Sequence, residues 1–132
     1  MPRTKRPRPT AQPKGSEHQE QKALFEWAEK LAYRYPELDL MFAVPNGGLR
    51  NKAVAVRMKA EGLKPGVPDI LIPVARCGHH GLFIELKYGR GKPSAKQVEW
   101  LDALNEQGYL AVVCWGWCEA ADLIQSYLED NK

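Results

Sequence analysis

Past the N-terminal arm, apolar residues recur at helical spacing. Leu24, Trp27, Ala28 and Leu31 form one stripe with charged residues between them, which predicts an amphipathic helix from about Glu17 to Tyr33. Pro36 ends it. Leu40-Met41-Phe42-Ala43-Val44 is a short apolar run that predicts a buried strand, closed by the turn residues Pro45-Asn46-Gly47-Gly48. A second helix is expected from about Asn51 to Glu61, with Gly62 as its stop. Two β-rich runs follow, Val67 to Val74 and Leu82 to Lys87, joined through Ala75 to Gly81 as an antiparallel hairpin. Pro93 and Ser94 open a helix that reaches about Gln107, where Gly108 stops it, and Val98, Trp100, Leu101 and Leu104 are available for burial. Tyr109 to Trp115 is a continuous apolar strand, and Glu119 to Leu128 a closing helix. The order αβαββαβα predicts an α/β fold, a mixed β-sheet flanked by helices.

Charge breaks this pattern at two places that the hairpin brings together. Asp69 opens the first run, and sixteen residues later Glu85 and Lys87 close the second. The two-residue strand period sends Glu85 and Lys87 to one face and Leu86 to the other. Antiparallel pairing then sets Asp69 beside Glu85. Two adjacent carboxylates repel unless a cation lies between them, and hard oxygen ligands suit Mg²⁺. A lysine two residues on can orient or deprotonate an attacking water and offset charge building on a phosphate. Glu-x-Lys at a strand end is by itself ordinary solvated charge, so the surrounding motifs decide its meaning.

Those motifs are Val44-Pro45-Asn46-Gly47-Gly48, Ala60-Glu61-Gly62-Leu63-Lys64-Pro65-Gly66-Val67-Pro68-Asp69, Phe83-Ile84-Glu85-Leu86-Lys87 and Gly91-Lys92-Pro93-Ser94-Ala95-Lys96-Gln97. In that order they resemble the VRR-NUC family of the PD-(D/E)XK nuclease superfamily, over roughly residues 16 to 128. The resemblance implies a restriction-endonuclease-like sheet and a magnesium- or manganese-dependent, structure-selective DNA endonuclease. Its small stand-alone members, typically from phages and bacteria, are homodimers that cut four-way (Holliday) junctions. A less selective flap or nicking endonuclease is the alternative within the class; a catalytically idle DNA-binding module is the alternative outside it. Carried over by position, Asp69, Glu85, Lys87, Glu17 and Gln97 are the implied catalytic set, with Asp69, Glu85, Leu86 and Glu17 at the metal. Glu17 and Glu20 both offer the first-helix acid. Glu17 stands one helical turn before Gln21, which fits the family's glutamate and glutamine better. Both acids also suit an ordinary helix start behind Ser16.

Basic residues flank the site in sequence: Arg50, Lys52, Arg57, Lys59 and Lys64 before it, Arg90, Lys92 and Lys96 after it. Asn46, Arg50, Lys64, Arg90, Lys92, Lys96 and Gln21 are the expected DNA contacts. Phosphate contacts position a duplex without reading bases, which suits selection by branched shape. The four tryptophans, Trp27, Trp100, Trp115 and Trp117, are assigned to the core or a dimer interface.

Composition narrows the setting. A length of 132 residues at ordinary apolar content fits one domain, residues 16–132, behind a tail, residues 1–15. That tail holds five basic residues, no acid and four prolines, so it carries the positive balance of a chain whose net charge is +3. It is expected to be a disordered arm able to add salt-dependent affinity for a phosphate backbone. No long apolar run or secretory signal is present, so no membrane partner and a cytoplasmic location are expected. Cys77, Cys114 and Cys118 lack a C-x-x-C pair, which argues against a disulfide framework or zinc ribbon. Gly91-Lys92 does not complete a phosphate-binding loop, because Leu86 and Pro93 stand at its glycine and Ser/Thr positions. His79 and His80, in the expected hairpin loop, have no partners at metal-ligand spacing.

Overall fold

The computed structural model describes residues 16–45 and 52–130. The chain runs α1 (Ser16–Leu31), a short 3-10 turn (Pro36–Leu40), β1 (Phe42–Ala43), α2 (Lys52–Ala60), β2 (Ile70–Ile72), β3 (Leu82–Lys87), α3 (Ala95–Glu106), β4 (Leu110–Trp115) and α4 (Trp117–Glu129). The expected mixed α/β architecture is present, with the 3-10 turn as an added element. The four strands form one sheet in the order β1-β2-β3-β4. The first two pairings are antiparallel, and the β3–β4 pairing, bridged by α3, is parallel. The expected tail falls outside the described residues.

Strand period builds the core. Leu82, Ile84 and Leu86 on β3 share a face with Ile70 and Ile72 on β2 and Cys114 on β4, and each is at most 2% exposed. Leu24 and Ala28 from α1 and Ala120, Ile124 and Leu128 from α4 complete the same cluster. Each fully buried Ile or Leu side chain contributes about 1.5–3 kcal/mol. On the opposite face α3 lies over β4. Asn105 Nδ2 donates to the carbonyls of Leu101 (2.8 Å) and Ala111 (2.9 Å), while its Oδ1 accepts from Ala111 N (3.0 Å). One side chain thus satisfies both backbone groups of an edge-strand residue, which closes that stretch to further pairing.

Two strands are shorter than their apolar runs. Expected as a buried strand over Leu40 to Val44, β1 pairs only at Phe42 and Ala43, and Leu40 and Phe42 are 54% and 46% exposed. The cause is Pro36, which starts a 3-10 turn that sinks Leu38 and then Met41 into the core and leaves β1 at the sheet's edge. β2 spans Ile70–Ile72 because Pro68 and Pro73, which have no N–H to give a ladder, stand on either side. Beyond it the hairpin tip turns through Cys77 (φ 52°) and Gly78 (φ 80°), and Arg76 and His79 exchange backbone hydrogen bonds across it. α3 stops where expected: Gly108 takes φ 98°, and a side chain there would strike the His80 ring at 2.7 Å. His80 therefore packs on this turn and against Tyr109, a structural position.

Candidate active site

Register alone places the two acids. Ile70 pairs with Ile84, so one step outward Asp69 faces Glu85 at the end of the β2–β3 ladder. The Asp69 side chain takes over as acceptor there, its Oδ2 receiving the Leu86 N–H at 2.8 Å while the Leu86 side chain points into the core. Glu85 lies on the sheet face covered by α3. It is 2% exposed, and Oε2 accepts from Gln97 Nε2 at 2.9 Å and pairs with Lys87 Nζ at 3.4 Å.

Gln97 reaches Glu85 because of how α3 starts. Ser94 and Gln97 form a reciprocal capping box, with Ser94 Oγ accepting from Gln97 N (3.1 Å) and Gln97 Oε1 accepting from Ser94 N (2.8 Å). The amide is fixed at its oxygen end, and its nitrogen end is left for the carboxylate. The Pro65-Gly66 turn braces the same helix. A Cβ on Gly66, whose φ is 95°, would meet Lys96 Cγ at 2.6 Å and Trp100 at 2.9 Å, so this glycine serves close packing on α3.

The first-helix acids separate by position. Glu17 Oε2 and Lys87 Cδ both border Gly91, at 3.6 and 3.7 Å from where a Cβ on it would sit, so Glu17 stands on the lysine's side of the site. Glu20 is occupied elsewhere: its Oε1 accepts from Trp117 N at 2.8 Å, the first N–H of α4, whose N-cap Gly116 has no side chain to offer. Glu20→Ala is accordingly expected to cost about 1 kcal/mol, checked by thermal unfolding. His18, which the sequence did not single out, lies near enough for its positive charge to lower the Asp69 pKa. Its position next to Glu17, three residues before Gln21, is the signal that was available.

Burial works against charge in this pair. It pushes Glu85 up to about 8, with the negative charge of Asp69 adding to the rise and Lys87 opposing it. Asp69 is raised too, mainly by burial, against the Leu86 N–H and the charges of Lys87 and His18. Glu85 Oε1 is buried and has no hydrogen-bond partner among the described residues. A buried carboxylate oxygen without a donor, beside a second carboxylate, is a donor set that a hard divalent cation fits. Among the described residues no group of three or more His, Cys, Asp or Glu side chains is arranged to hold an ion. Two carboxylates with main-chain oxygen and water are sufficient for Mg²⁺ or Mn²⁺.

Around the site, Lys64, Arg90, Lys92 and Lys96 are exposed and Gln21 is half-buried. Lys96 pairs with Glu99 at 3.5 Å, an exposed contact of little energetic weight. Asn46 and Arg50 lie outside the described residues. Trp115, assigned above to the core or an interface, is 42% exposed because it ends β4 beyond the last core position, and it is the register partner of Lys87.

No curated protein matches the chain. Among solved structures, one described as a VRR_NUC domain protein is 30% identical, with a TM-score of 0.75 over 89% of this chain and 93% of that one. The family model for the VRR-NUC domain matches residues 15–117, which include Asp69, Glu85, Lys87 and the fold that gathers them. The chain therefore belongs to the VRR-NUC domain family, nucleases of the PD-(D/E)XK type.

Proposed function

We propose that this protein is a divalent-metal-dependent, structure-selective DNA endonuclease that cuts four-way junctions as a homodimer, with Asp69 and Glu85 holding Mg²⁺ or Mn²⁺. The observation that carries this reading is the Asp69–Glu85 pair itself, with one buried Glu85 oxygen left without a donor and Lys87 held 3.4 Å from the other. Keeping a buried acid against a second, half-buried one disfavours folding, and catalysis supplies a reason for the arrangement.

A bound divalent ion supplies Lewis acidity at the scissile phosphate and a more acidic water. The side chains do the rest. Gln97 holds Glu85 in one rotamer, and the Leu86 N–H does the same for Asp69. Lys87 orients the attacking water and offsets negative charge that grows on the phosphoryl group in the transition state. In this reading Glu17, which borders Gly91 together with Lys87, accepts a hydrogen bond from water at the metal. Lys64, Arg90, Lys92 and Lys96 contact phosphates, with Gln21 and, outside the described residues, Asn46 and Arg50. Two symmetric sites in a dimer cut opposing strands of a junction.

The test is a digest, with Mg²⁺ or Mn²⁺, of a synthetic four-way junction, a flap and a linear duplex, alongside light scattering. Paired symmetric incisions in the junction by a dimer are expected. Equal cutting of all three substrates would replace junction selectivity with a general nicking activity, and binding without cutting would leave a DNA-binding module.

A further inference from the structure

The mechanism above leaves one large side chain at the site without a task. Trp115 is 42% exposed at the C-terminal end of β4, in direct register with Lys87. Register partners in a parallel pair lie about 4.8 Å apart and project to the same face, so the indole starts beside the largely buried lysine stem. The ring is also held. Its Nε1 donates to the Gly91 carbonyl at 2.7 Å, and the next residue, Gly116, donates its N–H to the Lys87 carbonyl at 2.9 Å. Gly91 in turn borders both Glu17 and Lys87, and the exposed Arg90 and Lys92 stand on either side of it. With its only polar atom satisfied, the indole presents an aromatic surface to solvent between Lys87 and the basic loop that holds Arg90 and Lys92.

A rigid exposed indole beside phosphate-binding cations is the arrangement by which proteins stack on nucleobases. A base inside a continuous duplex is already stacked on both sides and offers no face. A base at a branch point does. We propose that Trp115 is a specificity-determining residue that stacks on the nucleobase left unstacked at a DNA branch, next to the phosphate to be cut. The proposal rests on the nuclease reading and deepens it, since it names what distinguishes a branch from plain duplex at this site.

The test is binding in EDTA, by anisotropy of labelled four-way junction and labelled linear duplex, followed by cleavage with Mn²⁺. Trp115→Ala is expected to weaken junction binding by about ten- to a hundredfold and to leave duplex binding unchanged. Trp115→Phe, which keeps a stacking face but loses the bond to Gly91, is expected to restore most of the loss. Junction binding by Trp115→Ala equal to wild type, equal losses on junction and duplex, no wild-type preference for the junction, or failure of Trp115→Phe to rescue would each overturn the assignment. Thermal unfolding of both variants separates misfolding from lost stacking. Because the binding arm needs no metal and no turnover, a wild-type chain that never cuts DNA refutes the nuclease reading while the stacking result is still obtained.

Discussion

Lys87→Ala is expected to lower single-turnover cleavage of a four-way junction by about 10³-fold while junction binding in EDTA stays close to wild type. The two readouts separate because of where the side chain lies. Lys87 is 8% exposed and directed at Glu85, so it adds little to long-range attraction of DNA, yet it is the cation nearest the reacting phosphate in the proposed complex. Lys87→Met, which refills the buried volume without the charge, is expected to show the same loss and so to exclude a packing effect. Lys87→Arg is not expected to rescue, because a planar guanidinium cannot occupy the buried point-charge position beside Glu85. All three variants are expected to fold, because Glu85 can keep its proton where no cation offsets its charge and the core on the far sheet face is untouched. Cleavage that persists in Lys87→Met would remove the lysine from the chemistry and leave the two acids without their assigned partner.

How much of this was legible in the sequence depended on how local each determinant is. The helices were legible because stripe and cap lie in the same segment; Ser94, Gln97 and Gly108 mark α3 at both ends and also aim Gln97 at Glu85. The meeting of Asp69 and Glu85 was legible because strand alternation and hairpin pairing fix register, and register fixes neighbours. Choosing between Glu17 and Glu20 was not, since both lie on the first turns of α1. What separates them is the start of α4, about a hundred residues later in sequence. β1 failed for a similar reason. Its five apolar residues meet the pattern of a buried strand, but whether a strand lies inside a sheet or at its edge depends on partners that the run does not contain. The exposure of Trp115 was not legible either, because a tryptophan at the end of an apolar run carries no local sign of whether the sheet continues beyond it.

The second large effect expected is an inversion, in which Glu85→Gln abolishes cleavage and stabilises the metal-free protein at alkaline pH. The folded protein holds the Glu85 carboxyl up to about 8, far above the usual carboxylate value of 4.5, because burial and Asp69 both oppose its charge. The unfolded chain gives up that proton near the ordinary value. The neutral acid is therefore the form the fold prefers. Its contribution to stability is complete below about pH 4.5 and is lost as pH rises toward 8, with Asp69 adding in the same direction. Glutamine has the shape of the protonated acid and no charge to desolvate. Glu85→Gln should unfold near the wild-type temperature at pH 5, and at pH 9 in EDTA it should unfold higher, by roughly 5 °C. A divalent ion reverses the comparison, because it binds the ionised pair and releases the proton, so wild-type affinity for Mn²⁺ increases as pH approaches 8. Adding Mn²⁺ at pH 8 should raise the wild-type unfolding temperature and leave Glu85→Gln unchanged. Thermal unfolding from pH 5 to 9, with and without Mn²⁺, reads all of these effects. If the two proteins lose stability in parallel toward alkaline pH, the charge on Glu85 is not what opposes folding, and the argument that this site trades stability for metal binding fails.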